Sequence, residues 1–364
     1  MKVTEVTGLK INTVDLIGRE PVRLDGIKVS ALVKDRVCLV TGGGGSIGSE
    51  LCRQIVKYCP EKLIIVDFYE NNAYAIQTEL FGYDNVHTHI ASVRDFDAME
   101  RIFKKYRPQL VFHAAAYKHV PLMEYSPDEA VKNNIFGTDN MCRLSLDYGA
   151  ERFLLISTDK AVDPTSVMGA TKRYCELLIK YYSEKTDKTL FTAVRFGNVL
   201  ESNGSVIPLF KRQIKKGGPV TVTHPDVTRY FMTIPEAVAL VLEACAMAAR
   251  GEIYVLDMGR PVNIYSLAQK MIAAYGREDI EIVFTGLRPG EKLTEDTGID
   301  KGEAYRTNNA HIFATHGGDV PAGFGSMLAL LKECVSSGGD TVLHLTRAIP
   351  EFTPDKRIHF HNKK

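Results

Sequence analysis

The stretch CLVTGGGGSIGSELCRQI, residues 38–55, constrains the fold more than any other part of the chain. An apolar, β-prone run ends in a cluster of glycines, and an amphipathic helical pattern begins at once. Gly42, Gly45 and Gly48 stand at the spacing G-x-x-G-x-x-G. Glycine permits the tight turn and lets backbone come close to a diphosphate. The N-terminus of the following helix has free N–H groups and a partial positive charge, which stabilise that anion. Gly42, Gly45, Ser46, Ile47 and Gly48 are therefore candidate cofactor contacts.

A glycine turn alone is a weak signal. Here the next apolar run, KLIIVD (62–67), ends in Asp67, 19 residues past Gly48. A carboxylate at that place can hold both ribose hydroxyls of NAD and repel the extra phosphate of NADP. No arginine follows it directly; the chain continues Phe68-Tyr69-Glu70-Asn71. NAD is the cofactor this arrangement predicts.

The alternation continues. RVCLVT (36–41), KLIIVD (62–67), NVHTHI (85–90), QLVFHA (109–114), RFLLIS (152–157) and LFTAVRF (190–196) read as strands, with helix-length segments such as 46–58 and 97–106 between them. Strands separated by helices imply crossover units, hence an α/β fold with a doubly wound, Rossmann-type parallel sheet. After Asn198 glycine, proline and threonine become frequent and apolar runs rarer. The expected organisation is an N-terminal arm over 1–30, an NAD-binding domain over 31–198, and a mainly substrate-binding portion over 199–364. EIYVLDMG (252–259) is a candidate strand returning to the main sheet.

In such sheets ligands bind at the carboxyl ends of the strands. FHAAAYKHVPLMEYSP (112–127) leaves the fourth strand there. Ala114, Ala115 and Ala116 let backbone lie against the cofactor, and Lys118, His119 and Glu124 bring polar groups nearby.

Composition excludes several classes. Formal net charge is +1, so no bulk field attracts nucleic acid. No apolar run approaches the roughly 20 residues that span a bilayer. The most apolar stretch, 237–249, is interrupted by Glu243 and reads as a buried amphipathic helix. The N-terminal MKVTEVTGLKINTVDLIGRE has dispersed charges and is not a signal peptide. Seven cysteines without a Cys-x-x-Cys pair read as free thiols of a reducing cytoplasm. The pairs His87/His89 and His359/His361 lack metal-site spacing, and no metal is expected.

The remaining chemistry lies in STDKAVDPTSVMGATKR (157–173). A short-chain dehydrogenase uses a tyrosine to take a proton from the substrate hydroxyl, a lysine one turn later, and a Ser or Thr at the preceding strand end. Here Ser157 and Thr158 supply hydroxyls, and Met168 and Lys172 occupy the other two places, four residues apart on one helix face.

TGGGGSIGSEL, FHAAAYKHVPLME, VKNNIFGT, STDKAVDPTSVMGATKR, VRFGNVL, GSVIPLF, THPDVTRYFMTIPEA and TGLRPGEKL together run from about residue 36 to 293. In these motifs the chain resembles the extended short-chain dehydrogenase/reductase family, and within it the UDP-N-acetylglucosamine 4,6-dehydratases of surface-polysaccharide and glycan synthesis. The resemblance implies that the sugar C4 hydroxyl is oxidised with NAD, a base removes the acidified C5 proton, an acid helps water leave C6, and the hydride returns to C6. It makes Asp159 the acid and Lys160 the base. Asp159 is then expected to have a raised pKa and Lys160 a lowered one.

A thioether cannot accept the C4 proton, so Asp159, hydrogen-bonded with Thr158, is expected to receive that proton and deliver it at C6. Lys172 would orient the nicotinamide ribose, and Asn71, Ser92 and Val93 join the cofactor contacts. Ser92 replaces an aspartate that many relatives place near the adenine.

For a UDP-sugar, the resemblance puts Asn198, Ser205 and Val206 of GSVIP, Arg288 and Glu291 on the diphosphate and ribose, and residues 219–224 beside the uracil. Lys118, His119 and Arg229 are further substrate candidates. Two departures stand out: NVLESNGSVIP carries Glu201 and Asn203 where relatives read GSR, and GEKLTEDT replaces GEKLYEEL, a change expected to affect the surface after the pocket. DLIGREPVRLD (15–25) resembles the linker of membrane-anchored relatives, so an excised domain or a natural short form is expected, cytoplasmic or at the cytoplasmic membrane face, without membrane insertion of its own. A homo-oligomer is expected. The alternatives are a UDP-sugar 4-epimerase, which needs no Asp–Lys pair, and an inactive NAD- and nucleotide-binding module, which Met168 would suit.

Overall fold

Residues 26–202, 204–299, 302 and 304–355 are described by the computed structural model. Nine strands form the main sheet: β1 (Val37–Thr41), β2 (Lys62–Asp67), β3 (Val86–Ile90), β4 (Leu110–His113), β5 (Arg152–Ile156), β6 (Leu190–Arg195), β7 (Ile253–Leu256), β8 (Tyr305–Arg306) and β9 (Ile312–Thr315). Their order is β8-β9-β7-β6-β5-β4-β1-β2-β3. β1 to β7 pair in parallel, β9 runs antiparallel to β7, and β8 antiparallel to β9. The six strands expected in the first half form within one residue of their expected bounds. The order reverses between β1 and β4, which opens a crevice at their carboxyl ends.

The strand sequences explain the layers. Successive side chains point to opposite faces, so a strand covered on both sides must be apolar throughout. Leu39, Ile64, Val66, Phe153 and Leu155 enter one core, and Cys38, Val40, Leu63, Ile65 and Leu154 the other. Seven helices matter for the site and its support: α1 (Ile27–Val33), α2 (Ser46–Ile55), α3 (Gly137–Asp147), α4 (Val167–Ser183), α5 (Val206–Lys215), α6 (Ile234–Met247) and α7 (Phe324–Ser337). α3, α4 and α7 cover the first face; α1, α2 and α6 cover the second. α6 contains the apolar stretch read as a buried helix, and even its Glu236 and Glu243 are buried.

The organisation is less linear than a cut at 198. A third, smaller core joins Ile207, Phe210 and Ile214 of α5 to Val220, Val222, Leu267 and Met271. The chain then goes back: β7, β8 and β9 extend the main sheet, and Phe324, Leu328 and Leu345 pack into the first core. Residues 1–25 of the expected arm, Asn203, His359 and His361 lie outside the described residues. The rest of the arm is corrected: residues 27–33 form α1, whose Val29 and Val33 are buried in the second core.

Candidate active site

The glycine turn after β1 is built by contact limits. Gly42 has φ +64°, and a Cβ there would lie 2.7 Å from the Cα of Ala115. A Cβ on Gly48 would lie 2.0 Å from the carbonyl oxygen of Gly42. Gly45 precedes α2 without a capping side chain, and Ser46, Ile47 and Gly48 make its first turn. Gly42, Gly45 and Asp67 line a cleft of about 260 Å³, together with Ser92, Val93 and the Ala114–Ala115–Ala116 backbone. The Asp67 carboxylate accepts hydrogen bonds from Gly44 N and Tyr69 N, both at 2.9 Å, which fixes it at the strand end. Asn71 is exposed and donates to the Tyr69 hydroxyl (3.1 Å); its neighbour Asn72 faces the cleft instead.

The VKNNIF segment explains how the loop after β4 is held. It forms a π-helical turn, Val131–Phe136, whose wider backbone turns Asn134 inward. Asn134 accepts from Tyr117 N (2.8 Å) and donates to Tyr117 O (3.0 Å) and to Thr171 Oγ1 (2.9 Å). That side chain ties the loop carrying Lys118 and His119 to α4.

α4 begins where Ser166 caps it, accepting from Gly169 N at 3.0 Å. Gly169 is required by proximity: a Cβ there would be 2.3 Å from the carbonyl oxygen of Lys160. The helix therefore lies directly on the 159–161 turn. Met168 is 3% exposed and packs in the first core. Lys172 is 5% exposed and makes no hydrogen bond or ion pair among the described residues. Burial pushes its pKa down. A buried ammonium without a partner is costly and points to a ligand that completes it.

Asp159 is 2% exposed. Its Oδ1 accepts from Thr158 Oγ1 at 2.8 Å and from Lys160 Nζ at 3.0 Å; its Oδ2 is buried and meets no donor among the described residues. Glu295 enters from the other lobe. Its Oε1 lies 2.6 Å from Lys160 Nζ and 3.2 Å from Arg229 Nε, and its Oε2 accepts from Asn198 Nδ2 at 2.9 Å. Burial, and then the nearby Glu295 carboxylate, raise the Asp159 carboxyl to about 6, with Lys160 opposing. The expectation of a depressed Lys160 is overturned. Burial does work to lower it, but the flanking Asp159 and Glu295 carboxylates outweigh burial and hold the ammonium up. Burial raises Glu295, yet Lys160 and Arg229 prevail and bring it down to about 2.

A second cleft of about 340 Å³ adjoins this group. Asp159, Lys160 and Glu295 lie on its wall, as do Lys118, His119, Asn198, Ser205, Val206, Arg229, Arg288 and Glu291. Burial lowers the pKa of both Lys118 and His119. Ser205 precedes α5, and its hydroxyl is buried with no hydrogen-bond partner among the described residues. Gly204 approaches the His119 ring so closely that a Cβ would be 2.5 Å from Cε1.

Two expectations change here. Arg229, a phosphate candidate, is committed to protein acceptors: Thr228 O, Leu293 O and Lys292 O at 2.7, 3.1 and 2.9 Å, and Glu291 Oε1 at 3.0 Å. The GEKLTEDT departure does not concern surface alone: its Asp296 lines this cleft and its Thr297 is buried, while Glu295, which GEKLYEEL also carries, is 8% exposed and sits on the catalytic wall. Sequence reasoning missed Glu295; the signals were an acidic pair, Glu295-Asp296, just after LRPGEK and the glutamate that GEKLYEEL carries at the same place. Glu201, the other departure, is exposed and ion-paired with Lys211. Glu124 is buried, accepts from Val167 N at 2.7 Å, and is raised by burial to about 7.

Comparison with known proteins places these features among relatives. Residues 38–317 match the family described as polysaccharide biosynthesis protein. The chain is 53% identical over 316 residues to "Probable polysaccharide biosynthesis protein EpsC" of Bacillus subtilis, covering 84% of this chain and 52% of that protein. The solved structure of Pen from Bacillus thuringiensis is 35% identical, with a TM-score of 0.72, and the match covers 77% of this chain and 87% of that one. The structure of DesIV, a dTDP-glucose 4,6-dehydratase from Streptomyces venezuelae with NAD bound, shares the fold at 21% identity and TM-score 0.66, covering 73% of this chain and 90% of that one. The chain spans about half the length of the curated relatives it matches.

Proposed function

Since the chain belongs to the polysaccharide biosynthesis protein family, we propose that it is an NAD-dependent nucleotide-sugar 4,6-dehydratase acting on UDP-N-acetylglucosamine. The observation that carries this reading is the pair of buried Asp159 and half-buried Lys160, in contact at 3.0 Å on the wall of the larger cleft. An epimerase has no use for a dedicated acid and base beside its strand-end threonine.

The glycine cradle, Asp67 and the unpartnered Lys172 fit NAD. Gly42 and Gly48 leave no room for side chains where a diphosphate would approach. The fixed Asp67 carboxylate suits ribose hydroxyls, and Lys172 suits the nicotinamide ribose. NAD bound there would supply the acceptor and donor of the migrating hydride.

The chain's own groups handle the protons. With its carboxyl at about 6, Asp159 is accessible in both forms near neutrality. As carboxylate it takes the C4 hydroxyl proton; as acid it gives that proton to the departing C6 hydroxyl. Lys160 serves C5. Because the structure holds it as the ammonium, only its minor, neutral form takes the C5 proton, and the ammonium so formed returns a proton to C5 as the hydride adds at C6. Thr158 orients Asp159, and Met168 shapes the core behind it. Arg288, His119 and the α5 N-terminus face the diphosphate; Arg229 positions Glu291 and Glu295.

No described helix is long and apolar enough to cross a membrane, and the seven cysteines are free. A cytoplasmic site of action and a homo-oligomer are part of the same proposal. Incubation with UDP-N-acetylglucosamine and mass analysis of the product test the reading. Loss of one water supports it, an unchanged mass with a new C4 isomer makes the chain an epimerase, and no reaction makes it a binding module. Asp159→Asn must abolish the dehydration.

A further inference from the structure

Glu295 has no part in the pairwise acid–base scheme, yet the fold invests heavily in it. It comes from the segment after the LRPGEK loop and reaches the strand-end turn, where it is 8% exposed. Arg229 and Asn198 hold it from one side, at 3.2 and 2.9 Å, and Lys160 from the other, at 2.6 Å. The Asp159 carboxyl is also within hydrogen-bond reach of it. Among the described residues Asp159 uses Oδ1 for both of its donors and leaves Oδ2 buried with none. A carboxylate oxygen so placed is satisfied when it carries a proton and donates, and Glu295 is a charged acceptor at hand.

We propose that Glu295 is a positioning residue of the proton-handling group: its carboxylate, anchored by Arg229 and Asn198, pins Lys160 beside Asp159 and makes Asp159 a hydrogen-bond donor. The acid–base pair is then a triad. This rests on the dehydratase reading for its catalytic meaning, but the linkage within the triad does not.

The charged surroundings are compact. Asp159 faces Lys160 and Glu295; Glu295 faces Asp159, Lys160 and Arg229; and Lys118 adds a cation near Lys160. Removing the Glu295 charge removes a like charge from Asp159 and an opposite charge from Lys160. Both proton affinities fall.

Glu295→Gln keeps the shape and an acceptor for Asn198. The dependence of kcat/KM on pH should rise through the Asp159 carboxyl, at about 6 in the native chain. In E295Q that limb moves acidward by about one unit or more, whereas Glu295→Asp, which keeps the charge, restores it toward the native position. A structural role alone would lower the whole curve without moving the limb, and that result overturns the inference. Difference infrared titration of the Asp159 carboxyl, assigned with Asp159→Asn, gives the same shift without turnover. If the native chain dehydrates no UDP-sugar but the infrared midpoint falls in E295Q, the functional reading fails and the triad stands. If E295Q does not fold, the native midpoint decides: an ordinary aspartate value of about 4 refutes the triad.

Discussion

Glu124→Gln should stabilise the protein above neutral pH. Glu124 is 6% exposed and caps the catalytic helix by accepting from Val167 N. Burial raises its carboxyl from 4.5 to about 7, against the Val167 hydrogen bond and with help from Asp355. Between pH 4.5 and 7 the folded chain keeps this proton while the unfolded chain releases it. Stability therefore falls as pH rises through that window, and the full cost stands above it. A shift of that size corresponds to about 3 kcal/mol at roughly 1.4 kcal/mol per pH unit; partial solvent screening reduces it to about 2 kcal/mol. Glutamine retains an oxygen for Val167 N and carries no charge to bury. Urea unfolding of both proteins at pH 5 and pH 8 isolates the effect, because Asp159 and Glu295 titrate alike in both. The expected result is near-equal stability at pH 5 and a gain of about 2 kcal/mol for E124Q at pH 8. An equal loss for E124Q at both pH values would refute the reasoning, since it would mean that the carboxylate is a net stabilising cap.

Three further outcomes follow from other parts of the site. Lys172→Met should raise the stability of the cofactor-free protein by about 1–2 kcal/mol, by removing an unpartnered buried ammonium, and should reduce the NAD retained on purification; urea midpoints and released-nucleotide absorbance read the two effects. Gly48→Ala places a Cβ 2.0 Å from the Gly42 carbonyl oxygen. It should destabilise by about 3 kcal/mol, at the severe end of overpacking, and abolish NAD binding in the same assays. Met168→Leu conserves volume in the core, so it should cost less than about 1.5 kcal/mol and leave turnover largely intact, whereas a proton-handling role for Met168 would make it inactivating.

The main sheet was legible because its strands are covered on both faces, so KLIIVD and RVCLVT are apolar at every position that must pack. Gly42 and Gly48 were legible for a related reason: no other residue fits the turn. The Asp159–Lys160 pair was singled out only through the resemblance of STDKAVDPTSVMGATKR to the dehydratases, because an Asp-Lys at a strand end is not distinctive by itself. Glu295 was not, because its importance arises from a contact across 135 residues with Lys160, and nothing local separates it from Asp296. The protonation of Lys160 was misjudged for the same reason: burial alone argues for a lowered pKa, and only the second carboxylate reverses it. Arg229 looked like a phosphate ligand until its partners at 291–295 came into view.

In the proposed reaction one active site oxidises C4, eliminates water and returns the same hydride at C6. UDP-N-acetylglucosamine carrying deuterium at C4 tests it most directly. The expected product is lighter by one water and carries the deuterium at C6. Deuterium retained at C4 in a product of unchanged mass would contradict it.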